Sequence, residues 1–273
     1  MKIYHVLLAA GIACTACNKS AKLEPSPQKP FYTLPQGNHS YDDTIVAFHK
    51  KYDTYILYKF SQDDYAYDYT NKRADTAYEA NPAYIGASIR FFYDQLLNIY
   101  PEKFVQATMP LKIFLASGIG AKGIMNPRGF TATRSMLAIG WANDALPGKT
   151  PAEIKRMRGQ LHRYYIERAF RANIVAIPNA FIALTPSKSY EGITPSERLN
   201  NAIVDTEEGT MSLTKDFLGY IEMITGKTKA ELDATLLSPV VDRTGLIKQK
   251  YEIVLTYFRN DFGIDLQSVG EQP

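Results

Sequence analysis

Cysteine and histidine, the residues that most often hold metals or act as nucleophiles, are scarce in this chain of 273 residues. Two cysteines, Cys14 and Cys17, both lie close to the amino terminus. This scarcity excludes a cysteine-rich zinc module and a disulfide scaffold, and it leaves little material for a histidine-rich metal site. The four histidines are His5, His39, His49 and His162.

A helix predicted around His162 carries the clearest trace of a metal motif. It begins with a capping box at 150–153, where Thr-Pro-Ala-Glu places proline at the first helical position. Zinc peptidases carry His-Glu-x-x-His on such a helix, because two histidines four residues apart grip zinc and the glutamate polarises its water. Here Arg163 stands at the glutamate position and Ile166 at the second histidine position. A catalytic zinc site is therefore not expected.

His162 itself has two interpretations. It lies at the flank of the apolar stripe of the predicted helix, where a half-buried, hydrogen-bonded histidine is common. Alternatively, it is the remnant of a ligand site and still lines a cleft. Glu167, Glu207 or Glu208 could replace the missing ligands, although Glu167 lies roughly 140° from His162 around the helix.

A glycine-rich segment at 118–123, Gly-Ile-Gly-Ala-Lys-Gly, follows a predicted strand and partly matches a dinucleotide-binding loop. No helix is predicted directly after it, and a helix amino terminus is what holds the phosphate. We therefore predict a hairpin between strands at this segment. The net charge of +3 gives no basic footprint for nucleic acid.

The amino terminus has the features of an export signal. Lys2 precedes an apolar run over 3–16, which is shorter than the roughly 20 residues of a membrane-spanning helix. Small residues precede Cys17 and polar residues follow it, a pattern similar to the bacterial lipobox, in which the signal is cleaved before a cysteine that receives lipid. We predict a signal peptide over 1–16, a lipidated Cys17 with a flexible tether over 17–32, and an outer-membrane location. The alternative is a plain secretory signal with incidental cysteines.

Tyrosine is abundant, with 19 residues. Alternation along a predicted strand places Tyr65, Tyr67 and Tyr69 on one face, which could stack on sugar rings or line a protein interface. The alternative for these rings is half-buried packing.

The candidate residues need a scaffold, and the pattern along the chain predicts an α+β domain. Strands are predicted mainly in the first half, at 55–60, 65–69, 111–116 and 133–141, and helices mainly in the second half. This order lacks the regular βαβ alternation of a doubly wound fold. The last helix is predicted over 244–262 and ends at Gly263. We predict one domain over 33–273, with lobes over 33–173 and 174–273.

Three stretches give the chain a wider likeness, namely 51–60 (KYDTYILYKF), 111–115 (LKIFL) and 250–266, which runs from KYEIV to FGIDL. They resemble a family of secreted lipoproteins, the substrate import-associated zinc metallohydrolases, which are also described as zinc-binding metallopeptidases. The resemblance implies a zincin-like fold, in which a long motif-bearing helix packs on a mixed sheet beside a helical carboxy-terminal lobe. It also implies a place beside outer-membrane nutrient importers of the SusC/SusD type. The catalysis of the family does not carry over, because only His162 of its motif is present.

We therefore predict a catalytically inactive, lipid-anchored homologue that acts as an accessory or binding component of such an importer. It would need no cofactor and no nucleic acid, and it could take a peptide or a glycan as ligand. One alternative is an active hydrolase with an unconventional site, either a carboxylate-rich metal site that includes His162, as in a metallohydrolase, or a site without metal. A second is a glycan-binding surface lipoprotein that uses the tyrosine face.

Overall fold

The computed structural model describes residues 30–68, 71–72, 75–120 and 129–273, and these residues form a mixed sheet surrounded by helices. The strands of the described residues are β1 (Tyr55–Leu57), β2 (Tyr67–Asp68), β3 (Asn71–Lys72), β4 (Thr76–Glu79), β5 (Lys112–Gly120), β6 (Phe130–Ala132) and β7 (Met136–Ile139).

Strand β5 is the centre of the main sheet. Its first half pairs in parallel with β1 and β7, so that Ile113 lies opposite both Ile56 and Leu137. Its second half pairs with β4 in the antiparallel direction, and β6 pairs antiparallel with β7. Every residue of β1 and β7 is buried, as expected for parallel strands that are covered on both faces. Strands β2 and β3 form a separate antiparallel pair.

Helices make up most of the second half of the chain. The longest one, α5, contacts β6, β7 and α7. No helix within the described ranges is both long and apolar enough to cross a membrane. The helices are α1 (Ser40–Tyr52), α2 (Gln62–Ala66), α3 (Ile85–Phe92), α4 (Glu102–Thr108), α5 (Pro151–Arg171), α6 (Asn179–Ile182), α7 (Leu213–Thr225), α8 (Lys229–Ala234), α9 (Leu246–Phe262) and α10 (Leu266–Gly270), with a π-helical turn, Tyr93–Leu97, after α3.

Local end signals predicted several of these helices correctly. Thr150 caps α5, since its side chain accepts from the backbone of Glu153 and the Glu153 side chain accepts from the backbone of Thr150. Helix α9 ends at Gly263, whose φ of 67° lies in the left-handed region that glycine adopts without strain. The predicted α+β character follows from these helices and the mixed sheet.

The predicted strand over 65–69 is wrong for its first residues. Ser61 caps a short helix, α2, because its side chain accepts from the backbone of Asp64 while the Asp64 carboxylate accepts from the Ser61 backbone at 2.9 Å. Residues 62–64, which lie between the predicted strands at 55–60 and 65–69, are therefore the first turn of a helix. Tyr65 lies inside that helix, and only Tyr67 and Asp68 form a strand.

The hairpin predicted at 118–123 does not turn at its described residues, 118–120. Gly118 and Gly120 continue β5, because β4 supplies an antiparallel partner as far as the pair Thr76 and Gly120. Strand β6, the next strand that the structure describes, pairs with β7 and is not a neighbour of β5. Residues 121–128 lie outside the described residues.

Residues Leu34–Pro273 form one compact unit. Its main apolar core draws on both predicted lobes, since it includes Leu115 of β5, Phe217 of α7 and Val254 of α9. The domain boundary at 33 and the division into lobes stay predictions. The other unit, Met1–Thr33, contains the predicted signal peptide and Cys17, which lie outside the described residues.

Candidate functional site

Helix α5 carries the motif positions, and it is buried on more than one face. Its apolar stripe, which includes Met157, Leu161 and Tyr165, packs into the core as predicted. Polar and charged side chains of the same helix are buried as well, and buried polar groups need partners within the protein. The buried polar residues are Arg158, His162, Arg163 and Arg168.

Both ring nitrogens of His162 are engaged in hydrogen bonds. The hydroxyl of Tyr100 donates to Nδ1 at 2.6 Å, and Nε2–H donates to the backbone oxygen of Gln95 at 2.8 Å. Burial lowers the pKa of His162 to about 3, against the opposing effect of the bond to Gln95 and with a smaller contribution from the charge of Arg158. The ring is therefore neutral, with its proton on Nε2.

His162 is 0% exposed, so it is buried more deeply than the half-buried position predicted for it. Such a residue lines no cleft that solvent could enter. A metal ligand also needs an unoccupied ring nitrogen, and in His162 one nitrogen accepts from Tyr100 while the other donates to Gln95. The hydrogen bonds of His162 are therefore those of a structural residue that joins α5 to the segment around 95–100.

Arg163 extends into a group of three carboxylates, which we call the Arg163 cluster. Its guanidinium forms ion pairs with Asp205, with Glu207 at 3.0 Å and with Glu222 at 3.3 Å. Burial opposes the charge of Arg163, but the three carboxylates outweigh burial and raise its pKa. The hydroxyl of the neighbouring Tyr164 donates to the other oxygen of Glu207 at 2.6 Å. A permanent cation thus stands where the motif would place its general base.

The segment that supplies Asp205 and Glu207 is fixed by its own hydrogen bonds. Arg198 donates to the backbone oxygen of Asp205 at 3.0 Å and to that of Glu207 at 2.8 Å. The Oδ1 atom of Asp205 accepts from the backbone of Glu207 at 2.8 Å, while Oδ2 faces Arg163. Both carboxylates are therefore held in place for the guanidinium.

Two glycines let the elements of the cluster approach each other. A Cβ atom added to Gly159 of α5 would lie 2.7 Å from the backbone oxygen of Glu222. A Cβ atom added to Gly219 of α7 would lie 2.8 Å from backbone atoms of Asp205. Real Cβ atoms do not come so close to backbone, so only glycine permits this spacing. The close packing of α5, α7 and the segment at 205 brings Arg163 within reach of its carboxylates.

The remaining motif and substitute positions do not assemble a metal site. Ile166 is buried and has no ligand atom. Glu167 forms a surface ion pair with Arg171 at 2.7 Å, and Glu208 is exposed. Of the three predicted substitutes, only Glu207 approaches the motif, and it binds the guanidinium of Arg163. Within the described ranges no group of three histidine, cysteine or acidic residues could hold a metal ion.

Zinc therefore does not fit the residues at the motif positions. The first position offers a ring whose nitrogens are engaged, the second a cation that would repel the metal, and the third a hydrocarbon side chain. The three carboxylates nearby are already paired with the guanidinium. No reaction step through zinc follows from this arrangement.

The predicted tyrosine platform does not form in the described residues. Tyr65 is 0% exposed, because α2 directs it into the interior, where its hydroxyl donates to Asp75 at 2.7 Å. Tyr67 is 62% exposed, and Tyr69 lies outside the described residues. One exposed ring is not a stacking surface, so the glycan-binding alternative loses the feature on which it depended.

A second buried ion pair joins α7 to α9. Lys250 donates to the carboxylate of Asp216 at 2.6 Å, and Tyr190 donates to the same oxygen at 2.7 Å. Both charged side chains are 0% exposed. Burial lowers the pKa of Lys250 and raises that of Asp216, although each partner opposes the shift of the other.

Four contacts of the motif helix were not foreseen from the sequence: Gln95, Tyr100, Asp205 and Glu222. They lie between 42 and 67 residues from His162 or Arg163, and none belongs to a recognisable motif. Glu207 alone had a signal, as an acidic residue on the carboxy-terminal side of the motif. The spacing of three arginines, five residues apart in α5, was the signal in the sequence that hydrogen-bond acceptors must surround this helix.

No family model matches the sequence, and no curated protein matches it. A solved structure from Bacteroides caccae ATCC 43185, described as a "putative zinc-binding metallo-peptidase", is similar to the chain with a TM-score of 0.56. The sequences are 11% identical, and the similarity covers 85% of this chain and 88% of that chain. A likeness at this identity shows the fold alone, so the chain has an α+β, metallopeptidase-like fold, and the predicted fold class is confirmed.

Proposed function

We propose that this protein is an exported lipoprotein, anchored to the outer membrane through Cys17, whose metallopeptidase-like domain serves as a non-catalytic binding or accessory component beside a nutrient importer of the SusC/SusD type. The Arg163 cluster is the observation that carries the non-catalytic part. The lipobox-like sequence supports the anchor, and the likeness of 51–60, 111–115 and 250–266 to import-associated lipoproteins supports the partner.

The chemistry of Arg163 opposes peptide hydrolysis of the metallopeptidase kind. That reaction needs a general base that takes a proton from water, and a guanidinium has no site to accept one. The side chain is also buried and held by Asp205, Glu207 and Glu222, so it cannot turn aside to admit water. The motif helix of this chain instead joins distant segments through buried polar contacts.

The anchor and the domain divide the chain into parts with different tasks. Lipid on Cys17 would hold the amino terminus at a membrane, and the segment over 17–32 would act as a tether. The unit Leu34–Pro273 has its own apolar core and would project from the surface. A binding or accessory role needs such an accessible domain and no catalytic residues.

Metal content and peptidase activity test the non-catalytic part. The purified protein is incubated with excess zinc, dialysed, and measured by elemental mass spectrometry and by peptidase assays with and without chelator. We expect substoichiometric zinc and no chelator-sensitive activity, and His162→Gln should leave any residual zinc unchanged. Stoichiometric zinc, with activity that chelator abolishes and His162→Gln removes, would support the active metallohydrolase instead.

Membrane fractionation and cross-linking test the anchor and the partner. The wild-type protein should fractionate with the outer membrane, incorporate labelled acyl chains and cross-link to SusC/SusD-type subunits of the same cell. Cys17→Ala should lose the acyl label and the outer-membrane fractionation, while Cys14→Ala serves as the matched control and should keep both. Retention of the label in Cys17→Ala, or cross-links to no importer subunit, would contradict the proposal.

A further inference from the structure

A pocket of about 520 Å³ opens beside the Arg163 cluster. It lies between the first turns of α5, the segment over 204–206, the carboxy-terminal half of α7, and α8. Its volume is within the range of about 300–1,000 Å³ that is typical of small-molecule sites. None of the residues at the motif positions 162, 163 and 166 lines it, so the pocket is separate from those positions.

Glu222 gives one end of this pocket an acidic character. Its contact with Arg163, at 3.3 Å, is the longest of the three in the cluster, and its side chain remains 23% exposed. Its Oε1 atom makes no hydrogen bond within the described part of the chain, whereas both oxygens of Asp205 are engaged. Burial raises the pKa of Glu222, and the charge of Arg163 only partly offsets this. Glu222 is thus the carboxylate of the cluster that a further cation would stabilise most.

Two cationic side chains stand at the wall of the same pocket. Arg156 and Lys227 both line it and are exposed, and neither side chain makes an ion pair or hydrogen bond among the residues described. A third cation, Lys155, is already paired with Glu231 at 3.2 Å. The pocket therefore offers two cations that an anionic group could engage.

The surface between these charged groups is apolar. Val204, Met223 and Leu236 line the pocket together with Ala152. An apolar wall contributes affinity through burial, while a few charged groups fix the orientation of the ligand. A ligand that matches this lining carries a cation, an anion and a hydrocarbon part within a compact frame.

We propose that this pocket binds a small zwitterion, an α-amino acid or a short peptide, with its ammonium group against Glu222 and its carboxylate between Arg156 and Lys227. The hydrocarbon side chain of the ligand then lies against Met223 and Leu236. A purely anionic ligand would leave Glu222 facing a like charge, and a purely cationic ligand would meet Arg156 and Lys227. The inference goes beyond the proposed function and does not depend on it, because ligand binding and zinc content are measured separately.

Calorimetric titration of the purified full chain tests the ligand class. Leucine, methionine and dileucine present both charges, N-acetyl-leucine lacks the cation, and leucinamide lacks the carboxylate. We expect the unblocked compounds to bind, and each blocked derivative of leucine to bind at least about tenfold more weakly, because charge-assisted hydrogen bonds are the stronger class. Comparison of leucine with dileucine decides between a free amino acid and a peptide.

Substitutions in the pocket test which residues bind the carboxylate of the ligand. The double variant Arg156→Gln/Lys227→Gln should weaken leucine binding at least about tenfold. It should keep the melting temperature of the wild type, since both side chains are exposed. Lys248→Gln with Arg259→Gln removes the same charge from exposed positions of α9 and should leave the affinity unchanged. Ala152→Trp fills the pocket from an exposed lining position and should abolish binding.

Glu222→Gln gives a readout that general destabilisation would not produce. It should remove the preference for leucine over N-acetyl-leucine, because the preference comes from the ammonium group. The proposal is overturned if no unblocked compound binds, if the blocked derivatives bind equally well, or if the control variant on α9 weakens binding as much as the pocket variant does.

Discussion

Replacing Arg163 by methionine removes the cation of the cluster and keeps an unbranched side chain in place of the aliphatic part of the arginine. The change leaves three carboxylates without the guanidinium they now share. Asp205 is 0% exposed, so water cannot take the place of that partner. The variant should therefore fold with a marked loss of stability, and the loss should come mainly from this one carboxylate.

The size of the effect follows from the exposure of each carboxylate. Removing one partner of a buried ion pair costs about 3–5 kcal/mol. Glu222 and Glu207 are 23% and 32% exposed, so solvent screens them and each adds only about 0–1 kcal/mol. Glu207 also keeps the hydroxyl of Tyr164. A total near 5 kcal/mol lowers the melting temperature by roughly 10–20 °C for a domain of this size.

Urea denaturation at two pH values measures this loss, with Arg171→Met as the control. Arg171 lies on the same helix, but its ion pair with Glu167 is a surface one, and its removal should cost at most about 1 kcal/mol. Without Arg163 the pKa of the already raised Glu222 rises further. A carboxyl group whose pKa is raised in the folded state lowers the free energy of unfolding at high pH, and protonation removes this cost. The stability deficit of Arg163→Met relative to the wild type should therefore narrow as the pH falls from about 7.5 to about 5. A deficit below about 1 kcal/mol, or one equal to that of Arg171→Met, would refute the reasoning.

Three further outcomes are expected. Tyr100→Phe leaves Nδ1 of buried His162 without a donor and should cost about 1–3 kcal/mol of unfolding free energy in urea, whereas an unchanged midpoint would contradict this. The pKa of His162 falls from 6.5 to about 3 on folding, so the unfolded chain binds the extra proton and wild-type stability should drop as pH falls from 6.5 towards 3; His162→Gln should show a flatter profile over this window. Lys250→Met should cost about 3–5 kcal/mol because it leaves Asp216 buried and unpaired, and Asp216→Asn in addition should recover much of that loss, which a double-mutant cycle measures.

Helix ends were predictable because their signals are local. The capping box at 150–153 and the glycine at 263 each act within one helical turn, and α5 and α9 begin or end close to those positions. One of the strand errors has the opposite cause, a contact between distant segments. β5 continues through Gly120 because β4, some forty residues earlier, pairs with it. Tyr65 was misplaced because alternating tyrosines fit a strand, while the cap at Ser61 begins a helix.

Of the candidate site, only the positions on helix α5 could be predicted from the sequence. His162 and Arg163 follow from the motif spacing, and the absence of a second histidine is visible in the sequence. Their partners depend on tertiary packing. Tyr100 reaches His162 across 62 residues, and Asp205 reaches Arg163 across 42, and no periodicity connects such positions. A buried arginine needs acceptors, but the sequence does not indicate which of its 28 acidic residues provide them.

Completing the His-Glu-x-x-His pattern at 162–166 would not create a zinc site. Arg163→Glu would place a fourth carboxylate against Asp205, Glu207 and Glu222 in a buried position, where like charges exclude each other. Ile166→His would bury an imidazole at a position that is 0% exposed, and the ring of His162 would still be held by its two hydrogen bonds. The obstacles to a zinc site at these positions therefore extend beyond α5 to the segments at 95–100, 205–207 and 222. Those segments contact the helix through partners that suit an arginine and a neutral histidine, so these buried polar contacts join the helix to segments far away in the chain.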